Sequence, residues 1–158
     1  MKEKRSAGLL LFRETGEGPQ VLLGHMGGPF WARKDAAAWS VPKGEYGPEE
    51  TAFDAARREF GEEVGLPPPE GPYIPLGETR QAAGKTVTVW AVAGDLDPAD
   101  AVPGTFTMEW PRGSGRTREF PELDRVAWFT PAEGRRALVA AQTVFLDRLA
   151  AHLGSDDG

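Results

Sequence analysis

The chain has 158 residues, of which 40% are hydrophobic and 27% charged, the size and balance of one globular domain rather than a disordered segment. With 18 Lys plus Arg against 24 Asp plus Glu the net charge is −6, which argues against a binder of nucleic-acid polymers or of anionic membrane surfaces. There is no cysteine, so disulfides, thiolate catalysis and Cys-ligated zinc are excluded.

The charged start Met1–Arg5 is followed by an apolar run, Leu9–Phe12, too short for a secretory signal or a membrane span. A cytoplasmic protein is expected. Ser6–Arg13 and Gln20–His25 are apolar runs separated by Glu14-Thr-Gly-Glu-Gly-Pro19, which predicts a hairpin. Gly27–Ala38 reads as a long loop carrying Trp31, and Trp39–Val41 as a short strand entering Pro42. Thr51–Val64 reads as a helix, which Pro67-Pro68-Pro69 and Gly71-Pro72 cannot continue, so a loop is expected there. Lys85–Val92 is rich in β-branched and aromatic residues and has the strongest strand character. Thr105–Trp110 and Arg125–Phe129 are further strand candidates. Thr130-Pro-Ala-Glu133 has the form of a capping box with Pro at the first helical position. A last helix is expected over Gln142–Leu153, burying Val144, Phe145, Leu149 and Leu153. The domain is expected to span 1–153, with Gly154–Gly158 a frayed tail. Strands and helices mix within one core, so the fold class is α/β or α+β. His25 and His152 show no metal-ligand spacing and read as ordinary polar residues.

The Thr51–Val64 helix carries the chemistry. Thr51 is positioned to cap it and Gly65 to end it in the left-handed conformation. At about 100° per residue, Phe53, Ala56, Phe60 and Val64 form one apolar stripe. Glu59, Glu62 and Glu63 gather in a flanking arc shared with the small Ala52 and Ala55. Like charges three and four residues apart cost a few tenths of a kcal/mol each, and the helix dipole disfavours Glu62 and Glu63 in the last turn. Arg58 offsets this in part, reaching Glu62 and Asp54. Two explanations stand: a solvated, salt-bridged face, or carboxylates whose repulsion a hard divalent cation such as Mg²⁺ resolves.

Gly44, five residues, Glu50, seven residues, then Arg58-Glu59-Phe60-Gly61-Glu62-Glu63-Val64-Gly65-Leu66 matches the box of the Nudix hydrolase family, spacing for spacing. This stretch resembles that family, with one departure: Phe60 stands at a core position where relatives usually carry Leu, Ile or Val. The resemblance implies a Nudix α/β/α sandwich with a mixed β-sheet between helices. It also implies hydrolysis of a phosphoanhydride in a nucleoside diphosphate linked to another group. It implies Mg²⁺ or Mn²⁺ as cofactor, with two or more ions when substrate is bound. Carried onto this chain, Glu59, Glu62, Glu63 and the main chain at Gly44 would hold metal. Arg58 would hold the carboxylates, and Glu50 would orient Glu59 or Glu63. The general base stays open among Glu62, Glu63, Glu119 and Glu122, with Glu109 weaker. Glu122 is favoured by lying six residues before Trp128, a spacing similar to that in several relatives.

Substrate choice lies outside the box. Pro42-Lys43-Gly44 and Lys85-Thr-Val-Thr-Val-Trp90 resemble branches acting on dinucleoside polyphosphates, with Lys43 and Lys85 beside the phosphates. Arg116, in the basic stretch Arg112–Arg118, is a candidate polyphosphate clamp. Tyr46 and Trp31 are candidates to stack a base. The expectation is a nucleotide-binding enzyme, monomeric or homodimeric, that hydrolyses dinucleoside polyphosphates such as diadenosine tetraphosphate. The alternatives are an ADP-ribose or nucleotide-sugar pyrophosphatase, a pyrophosphohydrolase of modified nucleoside triphosphates, and a non-catalytic nucleotide-binding module.

Overall fold

In the computed structural model, which describes residues 4–81 and 84–155, the N-terminal apolar run becomes the middle of a sheet. Strands β1 (Lys4–Thr15) and β2 (Gly18–Met26) form the expected hairpin, with Phe12 opposite Val21 and Thr15 opposite Gly18. Ser6–Phe12 is buried throughout, because both faces of β1 are covered and an uninterrupted apolar run is what such a strand requires.

The chain continues through β3 (Trp39–Ser40), β4 (Lys43–Glu45), α1 (Ala52–Val64), β5 (Tyr73–Gln81) and β6 (Lys85–Ala93). It then forms β7 (Thr105–Glu109), β8 (Thr117–Pro121), β9 (Leu123–Phe129), α2 (Pro131–Ala137) and α3 (Thr143–Ser155). Among the described residues, a seven-stranded mixed sheet is built around β1. β6 runs parallel to it on one side, while β4 and β2 pair antiparallel with its first and second halves on the other. β5 extends the sheet beyond β6, and β3 and β9 both pair with β2. β7 and β8 form a separate hairpin.

One face of the sheet packs Ala7, Leu9, Leu11 and Leu22 against Ala55, Ala56, Phe60 and Val64 of α1. The other packs Leu10, Phe12, Val21 and Leu23 against Ala137 of α2 and Phe145, Leu146 and Leu149 of α3. The expected α/β/α layering is therefore present. No helix among the described residues is long and apolar enough to cross a membrane.

Several local readings need correction. The Pro67–Pro72 loop is present as expected, but the strand after it, β5, is not among the expected elements: it is the edge strand beside β6, and its register shifts between Pro75 and Glu78. β4 has no hydrophobic residue to announce it. β8 takes in Thr117 and Arg118, and the turn before it is held by Ser114 N–H to Pro111 O (3.0 Å) and Gly113 N–H to Glu109 Oε1 (2.6 Å). The basic Arg112–Arg118 stretch is thus the turn of the β7–β8 hairpin and the start of β8. Helix α3 runs on to Ser155, so Gly154 and Ser155 belong to the helix; residues 156–158 lie outside the described ones. Its buried stripe includes Leu146, while Val144 and Leu153 are only partly buried. Phe53 is also half-buried, its ring edge-on to Tyr73 and Trp90.

Candidate active site

Helix α1 starts where Thr51 Oγ accepts the Asp54 N–H (3.1 Å). It stops where Gly65, at φ +78°, donates its N–H to Gly61 O (2.9 Å). Burial of Ala55, Ala56, Phe60 and Val64 sets the rotation of the helix about its axis. Glu59, Glu62 and Glu63 then line a cavity at the helix edge, opposite the β4 strand. β4 is laid against Ser6–Gly8 of β1 by its own ladder, which brings Gly44 against Glu59. A Cβ at Gly44 would stand 1.9 Å from Glu59 Oε2, so only glycine leaves room for that carboxylate.

Arg58 organises the cluster. Its Nε and Nη2 donate to both oxygens of Glu50 (2.8 and 2.9 Å). Its Nη1 donates to Glu59 Oε1 at 2.8 Å and to Glu62 at 3.2 Å. Glu50 therefore grips the guanidinium and does not touch Glu59 or Glu63, which corrects the expectation that it orients them directly. The guanidinium is turned to Glu50 rather than to Asp54.

Glu122 joins the site from the β8–β9 corner. Gly104 N–H donates to Glu62 O (2.9 Å) and Gly104 O accepts the Glu122 N–H (2.8 Å), while Glu122 O accepts the Gly27 N–H (3.1 Å). The main chain of the box helix is thus tied through one glycine to the loop glutamate, so that Glu122 shares the carboxylate cavity. That cavity, of about 380 Å³, is lined by Ser6, Gly44, Glu45, Glu59, Glu62, Glu63 and Glu122 together with Lys43 and Lys85.

The electrostatics follow from this crowding. Burial, reinforced by Glu122 and then by Glu59 and Glu62, pushes the Glu63 carboxyl up to about 8. Glu59 and Glu122 are also raised, in each case first by burial. Burial pushes the Lys43 ammonium down, opposed by Glu63. The hydrogen bonds from Arg58 hold Glu50 below its usual range.

The donors are all oxygen, which suits a hard divalent cation, and burial and mutual repulsion raise the carboxyls more than Arg58 and Lys43 lower them. Among the described residues no three Asp, Glu or His side chains close around a single point. Such a set fits an ion that keeps several waters and takes phosphate oxygens as further ligands, the habit of Mg²⁺.

Other candidates lie elsewhere. Arg116 is exposed at the tip of the β7–β8 hairpin and is not on the cavity wall. Tyr46 lines a different cavity, of about 750 Å³, beside Arg5 and the start of α1. Glu119 is exposed on β8, and Glu109 is occupied by the hairpin turn. Trp90 packs against Phe53 at 5.3 Å instead of facing the site. His25 is only 1% exposed, its Nδ1 2.9 Å from Asp124 and its Nε2 2.5 Å from Lys34 O, so it ties the Gly27–Ala38 loop to β9. Two supporting residues carried no local signal: Gly104, and the buried Gln142. Gln142 Oε1 accepts the Val41 N–H (2.9 Å) and its Nε2 donates to Ser40 Oγ (3.0 Å), steadying the segment that leads into Lys43 and Gly44.

Comparison with known proteins agrees with this geometry. The sequence matches the NUDIX domain family over residues 2–149. No curated protein sequence matches it significantly. Among solved structures it resembles an Ap4A hydrolase of C. elegans in a binary complex, at 19% identity and TM-score 0.65, covering 96% of this chain and 98% of that one. It is similar to the same degree, TM-score 0.65 at 14% identity, to the NUDIX domain of Shewanella oneidensis NrtR complexed with ADP ribose, covering 97% and 90%. The Nudix hydrolase RenU of M. smegmatis matches at 21% identity and TM-score 0.56, covering 95% and 85%. With the family matched along nearly its whole length and every box carboxylate present, the chain belongs to the NUDIX domain family.

Proposed function

We propose that this enzyme is a Mg²⁺-dependent pyrophosphohydrolase of nucleoside polyphosphates, with dinucleoside polyphosphates such as diadenosine tetraphosphate its best substrates, acting in the cytoplasm. The observation that carries this is one cavity lined by five glutamates, Glu45, Glu59, Glu62, Glu63 and Glu122, with Lys43 and Lys85 among them. Carboxylates suit the cations that a polyphosphate requires, and the two lysines add positive charge for a chain of phosphates longer than the cations alone would cover.

Bound divalent ions would offset the charge of the phosphates and lower the pKa of an attacking water. Glu59, Glu62, Glu63 and the main chain at Gly44 would hold them. Arg58, itself held by Glu50, keeps Glu59 and Glu62 in place. Glu122 faces the box from a separate element, and its raised proton affinity suits a base that accepts the water's proton. The water oxygen bonds to phosphorus, the bridging P–O bond breaks, and its electron pair leaves with the departing phosphate.

The resemblance to the ADP-ribose-bound NrtR domain, equal in TM-score to that of the Ap4A hydrolase, favours one second reading, an ADP-ribose pyrophosphatase. A substrate panel with Mg²⁺, with products identified by chromatography and the attacked phosphorus located in ¹⁸O-water, decides between them. Diadenosine tetraphosphate is expected to give ATP and AMP. Inactivity on all dinucleoside polyphosphates with rapid turnover of ADP-ribose hands the enzyme to the second reading. Glu63→Gln is expected to lower kcat by about 10²-fold or more with an unchanged far-UV spectrum.

A further inference from the structure

Strand β9 carries one residue more than its ladder with β2 can pair. The pairs run in step from Val21 with Phe129 to His25 with Arg125, but Met26 then faces Leu123, so Asp124 is the extra residue of a bulge. The insertion decides which side chains reach the core. In an unbroken strand, residues three apart point to opposite faces, yet Leu123 and Val126 both pack in the cluster beneath α1. The bulge therefore turns Leu123 toward α1. It also sets the course of the chain at Glu122, which lines the carboxylate cavity.

Two glycines of the β2 end make room for this crossing. A Cβ at Gly24 would stand 2.4 Å from Leu123 Cδ1, and one at Gly27 would stand 1.9 Å from Pro121 O. Gly27 N–H donates to Glu122 O (3.1 Å). Main-chain groups pair without regard to side-chain identity, so the ladder alone does not decide which residue stands out.

A side chain does. Both Asp124 oxygens lie against His25 Nδ1, at 3.0 and 2.9 Å. A carboxylate only accepts, so Nδ1 donates. The imidazole is fully buried and confined on its other sides. Its Nε2 is 2.5 Å from Lys34 O of the Gly27–Ala38 loop, and its edge meets Trp39 with ring centres 5.1 Å apart. Were the strand to slip by one residue, Leu123 or Arg125 would come opposite Nδ1. Neither offers it an acceptor, and a buried donor left without one is costly.

We propose that His25 and Asp124 are positioning residues: their contact fixes the bulge at Asp124 and so holds the Glu122 carboxylate beside the box glutamates. This rests on the reading of Glu122 as the base that takes the water's proton, and adds how a residue from a separate element is kept in place for it. Neither His25 nor Asp124 lines the carboxylate cavity, so their loss acts through Glu122, on turnover rather than on affinity.

Asp124→Ala is the first test, because that side chain is 29% exposed and not part of the core. With Mg²⁺ and diadenosine tetraphosphate, or ADP-ribose if the substrate panel favours it, kcat should fall about tenfold or more, with KM within about twofold of wild type. Asp124→Asn, whose amide oxygen still accepts from Nδ1, should recover most of the loss, and His25→Leu should match Asp124→Ala. In a Glu122→Gln background, itself lowered about 10²-fold, Asp124→Ala should cost less than about twofold more, because the two act as one unit. Hydrogen exchange gives a readout independent of turnover. In Asp124→Ala the Gly27 amide, bonded to Glu122 O, should speed up about tenfold more than the amides of β1, which report global opening. Wild-type kcat in both Asp124→Ala and His25→Leu, equal losses in Asp124→Ala and Asp124→Asn, or full additivity with a damaging Glu122→Gln overturns the positioning role. Wild-type kcat in Glu122→Gln, with Gly27 exchange still accelerated in Asp124→Ala, leaves the contact standing and overturns Glu122 as the base.

Discussion

Glu59 and Gly44 share a space that one methyl group would fill. Gly44→Ala puts a Cβ 1.9 Å from Glu59 Oε2, and the Glu59 carboxylate, held by Arg58 at 2.8 Å, has to give way. The expected outcome is a folded protein, by circular dichroism, with Mg²⁺-dependent turnover reduced about 10–100-fold, the scale seen when a partner that orients a metal ligand is lost. Glycine at 44 and glutamate at 59 are visible in the sequence as parts of the box, but their mutual exclusion is not. Fifteen positions separate them, and the contact exists only because β4 pairs with β1 while α1 packs across the same strand. The role of Glu50 was misjudged for a similar reason. Its place in the box shows that it belongs to the carboxylate group, whereas its partner, the Arg58 guanidinium, depends on how the Glu45–Thr51 link enters the helix.

Elements with a local cause were legible. Thr51 and Gly65 bound α1, and the Thr130–Glu133 capping box opens α2 with both reciprocal hydrogen bonds in place. α2 is also joined to α3 by the Arg135–Asp147 ion pair. The hydrogen bonds from Thr130 hold Glu133 below its usual range, and those from Arg135 do the same for Asp147. A carboxylate depressed in the folded state adds stability above its unfolded value, and that stability is lost as pH falls through the folded value. Thermal melts of wild type and of a Glu133→Ala, Asp147→Ala double variant should therefore differ at pH 7 and converge as the pH falls below the usual carboxylate range. Curves that stay parallel across that range would show that neither carboxylate is coupled to folding. The strands that escaped notice are those whose cause is not local. β5 carries Pro75, Gly77, Glu78 and Arg80 and is a strand because β6 offers it an edge, and β4 is three residues long with no apolar member.

For the molecule as a whole, a group of glutamates that Arg58 and Lys43 offset only in part is a standing cost that a bound cation would remove. Anything that binds the folded state alone raises its stability by mass action. Addition of millimolar Mg²⁺ to chelator-treated protein should raise Tm, and the rise should disappear in a Glu59→Gln, Glu63→Gln double variant, which should itself melt no lower than the metal-free wild type. An equal rise in both proteins would mean that Mg²⁺ acts elsewhere.

The sequence by itself determined the family, the box carboxylates, the helix that bears them and the apolar stripe on which that helix packs. Each of these is written in spacing along a single element, where a period of 3.6 residues or a capping residue acts over one or two turns. Tertiary structure alone decided which distant residues complete the site. Glu122 comes in through Gly104, Gln142 steadies the approach to Gly44, and Phe106 and Trp31 share a cavity, whereas Arg116 and Tyr46 face other parts of the surface. These placements depend on strand order and on main-chain hydrogen bonds between segments far apart in the chain. Backbone N–H and C=O groups are the same in every residue but proline, which lacks the N–H, so the partners they choose leave little mark in side-chain identity.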